Sequence, residues 1–167
     1  MKLLRLFNRI LVRVETILLV VFLGVMVVLA FAQVVMRNVF GTGFLWGDPL
    51  VRHLVLWAGF MGAALATSED RHISIDAINK FLPERTRRIV KIFTSLFAAA
   101  ACYFLASAAW VFIQDERAAG GELVLSIPYW IGLSVLPVGY FLIMIHFAIN
   151  SAEQIGSLLT KTASTET

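Results

Sequence analysis

Residues 16–36 read TILLVVFLGVMVVLAFAQVVM and contain no Asp, Glu, Lys or Arg. A helix needs about 20 apolar residues to cross the hydrocarbon core of a bilayer, so this run predicts a transmembrane helix. The run 53–68 is shorter, but it extends outward to Pro49 if the Arg52 side chain reaches the headgroups. Together with two longer charge-free runs, these segments predict four transmembrane helices; the other runs are residues 92–114 and 123–152.

The composition of the 167-residue chain is that of a membrane protein. Hydrophobic residues make up 59%, charged residues 15%, and the mean hydropathy is +0.83, whereas soluble chains carry roughly 25% charged residues. This excludes disordered, collagen-like and disulfide-stapled chains and argues against a water-soluble globular enzyme. Cys102 has no intrachain partner, and no Cys/His cluster suggests a metal site. The basic residues flank apolar runs, so they indicate topology rather than nucleic-acid binding.

The distribution of Lys and Arg predicts the orientation, because cytoplasmic flanks are enriched in them. With both termini in the cytoplasm, eleven of the 14 basic residues lie inside and three outside. We therefore expect an all-α integral membrane protein with one domain, 1–167, and a flexible tail at 159–167. Ala30-Phe31-Ala32 resembles a signal-peptidase site, but the apolar run continues past it, so we expect an uncleaved anchor helix. The predicted transmembrane helices are residues 16–38, 47–69, 89–114 and 126–150.

Residues 1–15 predict an amphipathic helix that lies in the membrane interface. At about 100° per residue, four basic side chains fall on one side and apolar side chains on the other. Such a helix places its basic side chains among anionic lipid headgroups. The predicted headgroup-binding residues are Lys2, Arg5, Arg9 and Arg13.

The four apolar runs lack the buried charges that mark a self-sufficient ion-coupled transporter. Histidines offer one alternative, a haem-carrying membrane anchor of an oxidoreductase, which needs two imidazoles at one depth. His53 is predicted near the outer end of the second helix and His146 near the inner end of the fourth, so these two do not share an iron. A small homodimeric exporter is the other alternative. We expect no catalytic residue, cofactor or metal on this chain.

Charged and aromatic residues gather where the first two helices meet the outer surface. Asp48 and Arg52 are four residues apart on one helical face, and Arg37 is expected close to them across the hairpin. Trp46 fits the aromatic belt of the interface. A polar corner of this kind is a candidate docking site for a soluble partner.

The second predicted helix carries rows of small residues spaced four apart. Such rows permit two helix backbones to approach closely in lipid. The sequence leaves open whether the contact is within the chain or with another subunit. The residues singled out are Gly59, Gly62, Ala63 and Ala66.

Residues 33–78, QVVMRNVFGTGFLWGDPLVRHLVLWAGFMGAALATSEDRHISIDAI, resemble the small permease subunit of tripartite ATP-independent periplasmic (TRAP) transporters. The likeness extends over residues 33–143 and departs at Asp48-Pro49, where the family pattern has a longer acidic side chain. The matching motifs are RNVFG at 37–41, W-x-D at 46–48, W-x-GF-x-GAA at 57–64, HISID at 72–76, LPERTRR at 82–88, IPYW at 127–130 and LPVG at 136–139.

The resemblance implies a DctQ-like small subunit in the bacterial inner membrane. Such a subunit is a scaffold beside a large elevator-type subunit, which carries sodium and an organic acid delivered by a periplasmic binding protein. On this basis the outer corner and a second external loop are expected to contact the binding protein, and a cytoplasmic turn to be fixed by polar residues. The binding-protein contacts are Arg37, Trp46, Asp48, Arg52, Asp115, Glu116 and Arg117; the turn residues are Arg71, His72 and Asp76.

Overall fold

The computed structural model describes residues 2–68, 84–124 and 127–163. Within them the fold is almost entirely helical, and four segments are long and apolar enough to span a membrane: Leu6–Phe40, Gly47–Ser68, Ile89–Ala119 and Tyr129–Ala152. This confirms the all-α class and the four predicted spans. The elements are α1 (Lys2–Phe40), α2 (Gly47–Ser68), α3 (Glu84–Ala119), β1 (Glu122–Val124), β2 (Ile127–Pro128), α4 (Tyr129–Leu133) and α5 (Val135–Ala163).

The helices pack as an open row rather than a closed bundle. Helix α1 packs against α2, α2 against α5, and α5 against α3, so that α1 and α3 occupy opposite edges. The most apolar stretch of α1 contains no buried residue, and Phe31 of α1 and Phe104 of α3 are 69% and 70% exposed. Lipid tails solvate such side chains as well as protein does, so the row is compatible with a bilayer.

Both short connections lie at one end of the molecule, here called the loop end. Residues 41–46 join α1 to α2, and Gly41 adopts φ 66°, a left-handed conformation that favours glycine. Gly120, at φ 73°, ends α3 before the antiparallel β1–β2 hairpin, and the Tyr129 N–H donates to the Gly121 carbonyl at 2.8 Å. Since α1 begins and α5 ends at the opposite end, we call that the termini end.

The small core lies mainly where α2 meets α5. Met61, Ala64 and Val135 are almost fully buried, and the Phe60 and Tyr140 rings meet edge to face with centroids 5.0 Å apart. Gly139 lies directly against Phe60, because a Cβ at this position would overlap the Phe60 ring. The absence of a side chain at Gly139 therefore permits the close α2–α5 contact.

We expect Gly139→Ala to lower the free energy of unfolding by about 1–3 kcal/mol, the usual cost of overpacking. Thermal unfolding of the purified chain in detergent measures the change. Gly24→Ala is the control, because no atom lies within 4 Å of the position that its Cβ would take. Equal melting temperatures for the two variants would show that α2 and α5 do not approach at Gly139.

Two helices extend beyond the predicted boundaries. Helix α1 is continuous from Lys2 to Phe40, so the amphipathic stretch and the first span form one helix of about 58 Å, longer than the hydrocarbon core of about 30 Å. Helix α3 continues to Ala119, which corrects the prediction that residues 115–117 lie in a loop. A charge-free run marks where a helix crosses hydrocarbon, and the helix can continue once its charges reach water.

The fourth span also differs in detail. A turn at Ser134 separates α4 from α5, and Pro137 lies in the first turn of α5, where a missing N–H is tolerated. Helix α5 continues to Ala163, so residues 159–163 are helical and not the predicted flexible tail. The predicted cytoplasmic-turn residues lie outside the described residues; they are Arg71, His72 and Asp76.

Candidate functional site

The predicted outer corner forms at the loop end. Arg37 lies in the last turn of α1 and Asp48 in the first turn of α2. The Trp46 ring packs on Phe44 with centroids 5.2 Å apart, and Arg52 follows one turn later with its side chain exposed. The connection between α1 and α2 thus gathers the four predicted corner residues on an accessible surface.

The charge pairing expected at this corner does not form. Among the residues that the structure describes, no salt bridge joins Asp48 to Arg37 or Arg52. Each charge instead lies at a helix end of favourable polarity, since Asp48 is near the positive N-terminus of α2 and Arg37 near the negative C-terminus of α1. All three side chains are exposed. Water therefore screens their charges, and an ion pair between them would contribute little to the stability of the fold.

The second group of predicted contact residues lies at the same end. Asp115, Glu116 and Arg117 occupy the end of α3, and the Arg117 guanidinium carbon is 5.5 Å from the centroid of the Trp130 ring. A cation at this distance from an indole is attracted to the face of the ring. The structure therefore places all predicted binding-protein contacts at one end, and the contact itself stays a prediction.

The glycines of the α2 small-residue rows are open. No atom of another described element lies within 4 Å of the position that a Cβ would take at Gly59 or at Gly62, and Gly59 is exposed. The α2 positions that are buried within the chain include Ala58, Met61 and Ala64. Within the described part of the chain, no other element packs closely on Gly59 or Gly62, whereas Ala63 and Ala66 are half-buried.

A buried acid–histidine pair was not predicted. The Nε2 of His146 lies 3.0 Å from both carboxylate oxygens of Glu15, and the two side chains are 0% and 2% exposed. Glu15 follows several basic residues and directly precedes a charge-free run. An acidic residue in such a position is usually predicted to be exposed to water. The one feature of the sequence that could have singled out Glu15 is that no other acidic residue precedes Asp48.

The pair connects the first and the last helix of the chain, α1 and α5, at the termini end. Nε2–H donates to the Glu15 carboxylate, and this contact holds the N-terminal part of α1 against α5. Nearby on α5, the Asn150 amide donates to the Thr67 carbonyl at 2.8 Å and satisfies one of the free carbonyls at the end of α2. The termini end is therefore fastened by polar contacts among α1, α2 and α5.

His53 lies at the loop end, far from His146. Its Nδ1–H donates to the Pro49 carbonyl at 2.8 Å, and its ring meets Tyr129 edge to face with centroids 5.1 Å apart. The two histidines thus lie at opposite ends, as the sequence predicts, and do not share an iron. No group of three or more His, Cys, Asp or Glu in the described part of the chain is arranged to hold a metal ion.

The family model for the DctQ component of tripartite ATP-independent periplasmic transporters matches residues 26–156. The chain belongs to this DctQ family. It is therefore a small permease subunit of a TRAP transporter, a multi-pass protein of the inner membrane, and a transport protein rather than an enzyme.

Three relatives are similar to this DctQ-family chain. A putative TRAP transporter small permease protein of Haemophilus influenzae is 32% identical over 98 residues, 59% of this chain and 61% of that protein. The C4-dicarboxylate TRAP transporter small permease protein DctQ of Vibrio cholerae is 25% identical over 161 residues, 80% of this chain and 68% of that protein. The sialic acid TRAP transporter permease protein SiaT of H. influenzae is 30% identical over 74 residues, 44% of this chain and 12% of that protein. For both Haemophilus proteins the match spans less than two thirds of their length.

The DctQ match includes the loop-end residues, the open glycines and His146, but it begins after Glu15. Glu15, in the N-terminal part of α1, thus lies outside the matched range, whereas His146 on α5 lies within it. The buried pair joins these two parts of the chain.

Proposed function

We propose that this DctQ-family subunit is a scaffold for a large elevator-type subunit, which performs sodium-driven uptake of an organic acid delivered by a periplasmic binding protein. The observation that carries the proposal is the open row of helices. A row buries few of its apolar side chains within itself and offers broad, rigid faces that a larger membrane subunit can cover.

The similarity to SiaT supports a large membrane partner. The similar segment is 74 residues long and makes up 12% of that permease, so a related helical segment occurs there within a much larger membrane protein. The relatives' names mention sialic acid and C4-dicarboxylate, and both are organic acids. These names support an organic acid as the class of substrate, and sodium coupling is proposed from the family resemblance.

The transport chemistry is assigned to the large subunit. The long apolar stretches of this chain hold hydroxyl and amide groups but no carboxylate, whereas ion and acid transport needs charged or polar ligands at mid-depth. Glu15 is engaged by His146 at the termini end. Uptake of a labelled organic acid by cells lacking this chain tests the proposal: uptake should require the chain and an inward sodium gradient.

The orientation follows from the basic residues. With both termini in the cytoplasm, the loop end faces the periplasm and its charged residues meet the binding protein. Arg37, Asp48 and Glu116 then lie on the surface that the binding protein reaches first.

We expect Asp48→Lys and Glu116→Lys each to lower the rate of uptake by about fivefold, because each replaces an attractive rim charge with a repulsive one. The membrane complex should remain intact, since Asp48 is exposed and Glu116 lies at the end of α3. Thr42→Lys is the control, as it adds the same charge to the exposed connection without removing a carboxylate. If both reversals transport like the control, the loop end is not the docking surface.

A further inference from the structure

A long groove runs between α3 and the α4–α5 segment. Its volume is about 830 Å³, and it is lined mainly by apolar side chains, among them Ala106 of α3 and Phe141 and Met144 of α5. From Arg117 to Tyr103 the groove follows 14 residues of α3, which is about 21 Å. One leaflet of hydrocarbon is about 15 Å thick, so the groove extends from the headgroup level past the middle of the bilayer.

A second, smaller cavity of about 250 Å³ adjoins the mouth of this groove. Arg117 and Trp130 line both cavities, and Glu122 and Gly120 line only the smaller one. Arg117 and Glu122 therefore place one cation and one carboxylate at the mouth of the long apolar groove. In the described part of the chain neither Arg117 nor Glu122 forms a salt bridge.

We propose that the two cavities together bind one zwitterionic phospholipid that carries a phosphate and a primary ammonium group. Arg117 binds the phosphate, Glu122 binds the ammonium, and an acyl chain fills the groove. The Arg117 guanidinium lies over the Trp130 ring, and in the described part of the chain its side chain makes no hydrogen bond or ion pair. Its N–H groups are therefore available for a bidentate contact with phosphate oxygens.

The charges at the mouth select the headgroup. An anionic phospholipid without an amine would satisfy Arg117, but it would leave Glu122 unpaired and would lie near Asp115 and Glu116 at the end of α3. Neighbouring like charges repel, particularly beside low-dielectric hydrocarbon. A phosphoethanolamine headgroup pairs with both signs, so it is the favoured occupant.

Native mass spectrometry of the full chain tests the site. The chain, with the partners it retains, is placed in nanodiscs of equal parts phosphatidylethanolamine and phosphatidylglycerol and then released. We expect one retained phosphatidylethanolamine per chain. Arg117→Gln should lower retention by about tenfold or more, because the charge-assisted bidentate contact with the phosphate is lost. Glu122→Gln should abolish the preference over phosphatidylglycerol.

A matched pair of variants tests the groove itself. Ala106→Phe places a ring in the groove and should abolish retention, whereas Ala108→Phe, two residues away on an exposed face that does not line it, should not. Three results would overturn the proposal: equal retention in these two variants, retention of phosphatidylglycerol as strong as that of phosphatidylethanolamine in the unmodified chain, or attachment of a photo-crosslinker at Phe141 to a polypeptide instead of a lipid.

Discussion

Replacing Glu15 with Leu lowers the free energy of unfolding by about 3–5 kcal/mol, because the change leaves His146 buried without its partner. His146→Leu has an effect of the same size, since it leaves a carboxylate buried at 2% exposure. Chemical or thermal unfolding in detergent, followed by circular dichroism, measures both. Thr16→Ala is the control, because Thr16 is exposed and its hydroxyl only donates to Val12 within the same helix.

The double variant separates the loss of a favourable contact from the cost of an unpaired group. Replacing both partners of a buried pair by apolar residues of similar volume is often close to neutral. Glu15→Leu combined with His146→Leu should therefore be more stable than either single variant. If the two losses instead add, Glu15 and His146 do not interact, and the contact between the N-terminal part of α1 and α5 is wrong.

We expect Gly59→Leu and Gly62→Leu each to weaken the association of this chain with the proposed large membrane subunit and to lower uptake. Each adds a bulky side chain to the open face of α2, where close approach by a partner helix requires a small residue. Overpacking costs about 1–3 kcal/mol at each position, which weakens association by about tenfold or more. The yield of large subunit co-purified with the tagged chain measures the loss.

We expect the isolated chain to keep its fold, because no atom of another described element lies within 4 Å of the Cβ position at Gly59 or Gly62. Gly59→Ala and Gly62→Ala are the matched controls and should retain both the complex and uptake, since Ala keeps the face narrow. Normal co-purification of the Leu variants would show that the large subunit contacts another face of the row.

The four spans could be predicted from sequence because charge is costly in hydrocarbon, so a charge-free run such as residues 16–36 marks a crossing. The ends of the helices could not be predicted in the same way. Backbone hydrogen bonding, not hydropathy, decides where a helix ends, and α3 therefore continues through Arg117 to Ala119. The corner at Asp48 was predictable because its residues are neighbours along the chain.

The buried pair and the order in which the helices pack could not be predicted from the sequence alone. Glu15 and His146 are 131 residues apart, and either one alone resembles an ordinary interfacial residue. The small-residue rows of α2 indicated a contact, but no local pattern tells which helix covers Gly59. In the structure, α5 packs against both α2 and α3, and no other described helix of this chain lies close to Gly59.

The most direct test of the central claim is the composition of the complex that this chain forms in its own membrane. The tagged chain is extracted in mild detergent, transferred to nanodiscs, and its stoichiometric partners are identified by mass spectrometry. A scaffold subunit should purify one-to-one with a large, many-spanning TRAP permease. A chain that purifies only with itself, or with a haem or iron–sulfur protein, would contradict this account.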